Sequence, residues 1–521
     1  MRAPVLEDDA DMPRNRRSAA VGVLMPLAVG ILQQGAVSAV FSRSFFRFAP
    51  ASFVGSPPRH LGLATATRHS MGTLVGDGDA VPSPPSPAVP LPRVSSRTIA
   101  TLEPCVVLMK RIISEHAGAW SDDPHGIFSL AQGVVHWKPP RGCYEALAGA
   151  VSANLEDGND GDGAVVRTYC PAEGYPPLLS RLRTKLREEN GLTDPHVMVT
   201  AGANQAYVNC VLTLMDEDDG TGSQSRCVVF EPYYFNHVMA VQSTRGEGAL
   251  LVGPTDGGVP DLDWLRDRLE EHRHVDGTGG NSIRMVTLVN PGNPTGVALD
   301  HSFLAEIVRL TGEHGVWLVV DNTYEHFDVG GRNAAPGPGP SPDFPCFDEG
   351  HVINIFSFSK GHAMAGMRVG YVALSGRGTR GAEAYSEMLK VQDTVAICNS
   401  RLSQMAALGA LGAGRGWVRE RVDGLSEGRD AILDALSPLD ETIGGSGAMY
   451  VMGRLPEGTD DGEFASRLIE RHGVAVIPGS FCGLPGWIRV CYSNLPPDMC
   501  KIAAGRLKRG ILELTADKTD A

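Results

Sequence analysis

The segment SFSK (357–360) places Lys360 at the end of an apolar run, where burial can depress its pKa and leave an amine able to form an imine. Eight residues later Arg368 offers a guanidinium fork suited to phosphate. Another apolar run closes in VVDNTY (319–324), where a buried acid is costly unless paired. Asp321 is well placed there to hold a protonated ring nitrogen, and Tyr324, three residues on, to reach a ring oxygen. AGANQA (201–206) opens a helix after VMVT, and the free N–H groups of Ala203 and Asn204 could hold a phosphate. EPYYF (231–235) offers a ring to stack on a flat ligand, and NPGNPTG (290–296) fixes a turn that presents Asn293. Each piece alone is modest, since small residues at helix starts, turn prolines and packed tyrosines are common. Their order along the chain is not.

These residues need a scaffold that gathers them. From about 128 onward short apolar runs alternate with helical stretches, the pattern of an α/β fold with a largely parallel sheet. VMVTAG (197–202), CVVFEP (227–232), RMVTLVNP (284–291), VWLVVDN (316–322), HVINIFSFS (351–359) and VGYVAL (369–374) read as buried strands. NQAYVNCVLTLM (204–215) and HSFLAEIVRLTGEHG (301–315) carry apolar residues at helical spacing. Open sheets of this kind bind ligands beyond the carboxyl ends of their strands, which is where the polar residues fall. EDGNDGDG (156–163) and GGRNAAPGPGPSPDF (330–344) read as surface loops. From about 400 the pattern turns helix-rich, with strands expected at AMYVMG (448–453), VAVIPG (474–479) and WIRVCY (487–492).

The ordered set from Tyr169 and Gly174 through AGANQA, EPYY, NPGNPTG, D-x-x-Y, S-x-S-K and Arg368 to IRV resembles the class I/II pyridoxal-phosphate aminotransferases. The resemblance runs from about 128 to 512. It implies the fold-type-I architecture: a large domain with a mostly parallel sheet and a smaller α+β C-terminal domain. On that footing 1–95 is a targeting leader with a Pro-rich linker, expected to lack a fold. Residues 96–145 form an arm joining the small domain, 146–395 the large cofactor domain and 396–521 the small domain. SLAQGVVHWKPP (129–140), VTAGANQAYVN (199–209) and EPYYFNHVMA (231–240) are further similar to plant-type aromatic aminotransferases. Those take methionine or an aromatic amino acid as donor and an aromatic 2-oxo acid, such as phenylpyruvate or indole-3-pyruvate, as acceptor.

The resemblance also implies roles. Lys360 carries pyridoxal 5'-phosphate as a Schiff base and then moves the substrate's α-proton. Asp321 pairs with the pyridinium nitrogen and keeps the ring an electron sink. Tyr324 and Asn293 bind the ring's 3-oxygen, and Tyr234 stacks on its face. Ala203, Asn204, Ser357 and Arg368 hold the phosphate, with Tyr169 reaching it from the neighbouring subunit of a homodimer. Arg489 clamps the substrate carboxylate beside the backbone of Gly133, with Asn293 near. Met367 stands where the family often has Trp, and Cys491 and Tyr492 follow Arg489 where small and aromatic residues are usual. Substrate preference is written in no single residue. A lyase using the same cofactor, a cysteine-conjugate β-lyase or an aminocyclopropane-carboxylate synthase, shares nearly every one of these residues.

The rest of the sequence narrows the class. With 46 Lys+Arg against 60 Asp+Glu the net charge is −14, which speaks against a nucleic-acid surface. No helix-turn-helix pattern precedes the body, so a transcriptional regulator built on a related fold is disfavoured. Ten cysteines form no C-x-x-C pair, which fits a reducing compartment and neither a disulfide framework nor a metal site. No apolar stretch of the body is long enough to span a membrane. At the N-terminus, Arg14, Arg16 and Arg17 precede AAVGVLMPLAVGIL (19–32) and the small-residue stretch GAVSA (35–39), a signal-like arrangement. Residues 41–76 then hold arginines among Ser, Ala and Phe with no acid, a transit-like composition. A two-part leader of this sort favours a plastid, with mitochondrion or cytoplasm as alternatives. Gly376-x-Gly378-x-x-Gly381 follows a strand but lacks the acid about 20 residues on that a dinucleotide site needs. The HRH triplet (272–274) reads as solvated surface, and His125 and His136 could border the substrate entrance.

Overall fold

Seven apolar segments pair into one sheet in the computed structural model, which describes residues 92–155, 167–217, 224–273, 282–327 and 344–516. They are β1 (His196–Thr200), β2 (Arg226–Phe230), β3 (Leu250–Gly253), β4 (Ile283–Val289), β5 (Trp317–Asp321), β6 (Val352–Ser357) and β7 (Gly370–Leu374). The expected leader up to residue 91, the loop 156–163, all of 330–344 but Phe344, and His274 lie outside the described residues. β3 is the strand that periodicity missed. It is short and sits at the sheet edge with Val252 exposed, so it lacks the buried run that marks its neighbours.

The strand order is β1-β7-β6-β5-β4-β2-β3, and every pair is parallel except the two that β7 makes. Helices cover both faces, as a parallel sheet requires. Side chains alternate accordingly. Val319 packs with Tyr207 and Val241 on one face, while Leu318 and Val320 pack with Ile307 and Leu310 on the other. The carboxyl ends of β1, β2, β4, β5 and β6 therefore share one edge, and the segments after them converge there.

β7 runs the other way, with Gly370 opposite Ser357 and Leu374 opposite Ile353. Its carboxyl end lies at the far edge, and so does the Gly376–Gly381 turn. The close backbone there accounts for two of those glycines. A Cβ on Gly376 would stand 2.0 Å from the Asp194 carbonyl oxygen, and one on Gly381 2.3 Å from that of Ser375.

A second, antiparallel sheet has the order β8-β9-β11-β10, formed by β8 (Thr442–Gly444), β9 (Tyr450–Arg454), β10 (Ile477–Pro478) and β11 (Trp487–Cys491). Helices Ser426–Leu436 and Pro497–Ala516 pack against it through Ile432, Leu436, Leu507 and Ile511. The single strand expected at 474–479 is two. Val474–Ala475 pairs in parallel with Phe128–Ser129, while Ile477–Pro478 joins β11, so one apolar run serves two sheets. The first pairing brings the N-terminal arm, with Gly133, beside Arg489 on β11. Among the described residues no helix is long and apolar enough to cross a membrane.

Candidate active site

Eleven of the twelve residues singled out from the sequence line one cavity of about 420 Å³ at the shared strand edge. The exception is Tyr169, which is 78% exposed and does not line this cavity. The cavity also draws in residues that sequence reasoning passed over, among them Val106, Gln132, Asn236 and Tyr450.

One end is a cradle of backbone amides. Helix Ala203–Leu214 starts directly after β1, and its N-cap Gly202 has φ +87°, a left-handed conformation that only glycine adopts freely. A Cβ there would stand 2.2 Å from the guanidinium of Arg368. That guanidinium donates to the carbonyls of Ala201 (3.1 Å) and Ala365 (3.0 Å). Asn399 ties the two sides together, its Nδ2 donating to the carbonyls of Thr200 (2.9 Å) and Arg368 (3.2 Å). Arg368 and Lys360 both belong to the connection between β6 and β7. That connection is closed on itself, with the Phe358 N–H donating to Val369 (3.1 Å) and the Met364 N–H to Phe358 (3.1 Å).

In the middle, Asp321 is only 3% exposed and is compensated on both carboxylate oxygens. His237 Nε2 lies 3.2 Å from one, and the Thr323 N–H donates to the other at 3.0 Å. The His237 ring stacks on Tyr207 at 4.0 Å between centroids, which fixes its orientation. Nothing in the sequence flags His237. It sits in the helix Phe235–Arg245, three residues past Tyr234, and meets Asp321 only through the tertiary fold.

At the other end Arg489, 2% exposed, donates from Nη1 to Asn293 Oδ1 (2.9 Å) and from Nη2 to the Ala131 carbonyl (2.8 Å). Its Nε has no partner. A guanidinium can only donate, so the Asn293 oxygen faces Arg489 and its Nδ2 is left facing Tyr324, 3.5 Å from the phenol oxygen. The Tyr324 hydroxyl meets that of Tyr450 at 2.8 Å, and the Tyr450 ring lies 4.5 Å over the Arg489 guanidinium. A closed polar circuit results. Gly133 must be glycine beneath it, because a Cβ would fall 1.9 Å from the Tyr450 hydroxyl.

Lys360 stands between these ends, its amine donating to the Gly133 carbonyl. Burial pulls that amine down to about 8, with Arg489 and Arg368 acting in the same direction and Cys491 and Asp321 against it. About one molecule in ten then carries a neutral amine at pH 7, against roughly one in a few thousand for an ordinary lysine. Arg489 moves the opposite way: burial alone would lower it, but the Tyr450 phenol and the Cys482 and Cys105 thiols raise it. Burial, and then the adjacent Tyr450, hold the Tyr324 phenol well above its ordinary value, so it stays protonated.

The expected border histidines lie elsewhere. His125 stacks on Phe128 and His136 bonds the Ser493 carbonyl at 3.2 Å; neither lines the cavity. In the HRH triplet, His272 is half-buried and bonds Ser282 at 3.0 Å rather than facing solvent, because it caps a helix against the strand that follows.

The donor set fits a phosphorylated pyridine aldehyde. It combines an amide cradle with Arg368 and the Ser357 and Ser359 hydroxyls, a compensated buried acid, a phenol with an amide donor, and a lysine of lowered basicity. The buried Thr323 hydroxyl and Arg489 Nε are polar atoms still lacking protein partners. Fold and site together define a fold-type-I pyridoxal-phosphate enzyme. Residues 143–507 match the family model described as aminotransferase class I and II, and the chain belongs to that family. It is 40% identical over 426 residues to the aromatic aminotransferase ISS1 of Arabidopsis thaliana, covering 81% of this chain and 97% of the relative. It is 29% identical to an aspartate/prephenate aminotransferase of Thermus thermophilus over 64% of this chain and 80% of that one. A solved structure of a Thermus thermophilus aspartate aminotransferase double mutant superposes with a TM-score of 0.65 at 26% identity, covering 81% of this chain and all of the other. The protein is a pyridoxal-phosphate-dependent aminotransferase.

The lowered basicity of Lys360 sets a pH dependence. Cofactor capture by the apo protein needs the neutral amine, so its rate should rise about tenfold between about pH 6 and 7 and level off above about 8. Stopped-flow absorbance follows this directly. A rate still climbing tenfold per unit beyond about pH 9 would mean an ordinary lysine.

Proposed function

We propose that the protein transfers the amino group of methionine or an aromatic amino acid to an aromatic 2-oxo acid such as phenylpyruvate or indole-3-pyruvate. One observation carries this reading. Among the described residues lining the cavity the cations are Lys360, Arg368 and Arg489. The first is the imine-forming amine, the second lies at the phosphate cradle and the third is the carboxylate clamp. None is left over for the distal carboxylate of aspartate or glutamate. Around Arg489 the walls are Val106, Val134, Phe235 and Tyr450, apolar surface for a large uncharged side chain. The name of the Arabidopsis relative points the same way.

In this reading Ala203, Asn204, Ser357 and Arg368 would hold the cofactor's phosphate, Asp321 its ring nitrogen, and Tyr324 and Asn293 its 3-oxygen, with Tyr234 against the ring. When bound, pyridoxal phosphate supplies an electron sink for the pair released at the substrate's Cα. The chain's residues do the rest. Arg489 takes the α-carboxylate in a two-pronged grip, already aimed by Asn293 and Ala131. That grip fixes which Cα substituent faces Lys360. The Lys360 amine, near neutrality in basicity, takes the proton from Cα and returns it there in the reverse half-reaction. Asp321, oriented by His237 and the Thr323 N–H, would face the ring nitrogen and keep it protonated. Tyr450 and Val106 line the same cavity beside Arg489 and would narrow the space left for water there.

Three further assignments belong to the same reading. The exposure of Tyr169 in one chain supports a homodimer in which it reaches the partner's phosphate site. Residues 146–395 and 396–521, with the arm 96–145, serve as large and small domains. The two-part composition of the N-terminus supports delivery to an organelle, the plastid first.

Incubation with methionine or phenylalanine alone should bleach the visible absorbance of the bound cofactor. Across a panel of donors and acceptors, aspartate and glutamate should fall below the best aromatic donor by about a hundredfold or more in kcat/KM, the order expected when a charge is buried without a partner. A preference for dicarboxylates sinks the specificity, while release of pyruvate and ammonia without an acceptor would make the protein a lyase. Mixing inactive Lys360→Ala and Tyr169→Phe variants should generate hybrid dimers with one intact site, visible as regained turnover; no recovery on mixing, with Tyr169→Phe impaired, argues against a shared site. A fluorescent reporter fused behind residues 1–95 should collect in plastids of a plant or algal cell, and a diffuse signal would refute the leader.

A further inference from the structure

Behind the cavity lies a cluster of buried ionisable side chains that the reaction does not use. Lys185 and Glu325 are 5% and 8% exposed. The Lys185 amine donates to Glu325 Oε2 at 2.5 Å and to Asn190 Oδ1 at 2.9 Å, while the Asn190 Nδ2 donates to the same Glu325 oxygen at 2.9 Å. Glu189 Oε2 stands 3.9 Å from Lys185, and His326 Nε2 3.6 Å from the other Glu325 oxygen. The Lys185 amine also sits 4.8 Å over the ring of Phe356, in β6. Each partner thus closes the other's valence, and helix Pro176–Asn190 supplies both Lys185 and Asn190.

What makes this cluster more than a buried ion pair is its neighbours along the chain. Glu325 and His326 directly follow Tyr324 in the turn after β5. His362 lies two residues past Lys360, and its ring meets that of His326 edge-on at 5.9 Å between centroids. Gly361, between Lys360 and His362, lies so close that a Cβ would come 2.8 Å from His326 Cδ2. The Gly361 carbonyl accepts from Trp137 Nε1 at 3.3 Å, and Trp137 stacks on Phe327 at 6.4 Å. The lysine loop therefore rests on the tyrosine turn at His326, and the turn rests on the helix through Glu325. Burial depresses His326 to about 4 and His362 to about 3, so both rings are neutral packing surfaces and the Lys185–Glu325 charges balance each other.

We propose that the Lys185–Glu325–Asn190 network is a positioning device that sets the Lys360 loop and the Tyr324 turn in register from behind the cavity. Its members touch neither substrate nor cofactor; they act through the backbone on either side of Tyr324 and, by way of His326 and Gly361, of Lys360. Removing one charge leaves the other buried and unpaired, which drives water and motion into the turn, whereas removing both relieves the imbalance. The effects of the two sites must therefore be coupled.

The test is a double-mutant cycle of Lys185→Met, Glu325→Gln and the pair, on the full chain. Three readouts are taken: hydrogen exchange of the peptides spanning 321–327 and 357–364 in the apo protein, the pH midpoint of the visible band of the loaded protein, and kcat. The donor for kcat is whichever of methionine, phenylalanine and aspartate the wild type turns over fastest. Each single variant should exchange faster in both peptides, shift the band midpoint and lose about tenfold or more in kcat, the scale of a small misplacement of catalytic groups. The double variant should lie closer to wild type than either single on all three. Should the singles fail to fold, a folded double with wild-type exchange in both peptides and an unmoved midpoint supports the network, and a double with a displaced midpoint overturns it. Losses that simply add, or a lowered melting temperature with unchanged peptide exchange and band midpoint, would reduce the cluster to a structural pair.

Discussion

A single cavity must hold an amine whose basicity is lowered beside a buried guanidinium whose basicity is raised. Much of the surrounding structure follows from that constraint. Burial alone would lower both, because a low dielectric favours the neutral form of any base. For Lys360 that tendency is left to run, reinforced by the two neighbouring cations. For Arg489 it is reversed by the Tyr450 phenol and the Cys482, Cys105 and Cys491 thiols, while an amide oxygen and a backbone carbonyl accept from it. Arg368 is held at the cavity wall by two carbonyls. The same space thus shifts two cationic side chains in opposite directions, according to what each one touches.

The parallel sheet is the device that makes such contacts possible. Strand ends give backbone positions fixed to within the sheet's own rigidity, and five of them open on one edge. The smaller sheet then brings in Arg489 and Tyr450 from across the cavity, with the N-terminal arm threading Gly133 between them. Asn293 joins the two halves chemically: its oxygen accepts from Arg489 and its nitrogen faces the Tyr324 phenol. Whatever draws on Arg489 is felt at Tyr324 through one amide.

Much of this was legible in the sequence because the chemistry-bearing residues sit at strand ends, and apolar runs flanked by Gly, Pro and Asn mark such ends clearly. Asp321, Lys360 and Arg368 could be found for that reason. His237, Tyr450 and Asn399 could not. Each reaches its partner from a helix, strand or loop distant along the chain, and no local spacing encodes that meeting. Edge strand β3 escaped for a related reason, since a half-exposed strand shows no continuous apolar run. The reach of His125 and His136 was misjudged because a histidine beside a site in sequence can turn to pack on its own arm instead. The Lys185–Glu325 pair was equally hidden, as a lysine within LRTKLREEN reads as solvated helix surface until the fold covers it.

The reversal of β7 has a consequence for what the cavity can accept. Because β6 and β7 are antiparallel neighbours, Lys360 and Arg368 are carried by one short connection, pinned at its base by the Phe358–Val369 hydrogen bond. On the proposed roles, the group that would react with the aldehyde and the group that would grip the phosphate are therefore mounted on a single ruler. Selection for the length of the cofactor, and against carbonyl compounds that lack a phosphate at the matching distance, would on those roles be built into the backbone before any side chain of the opposite wall takes part.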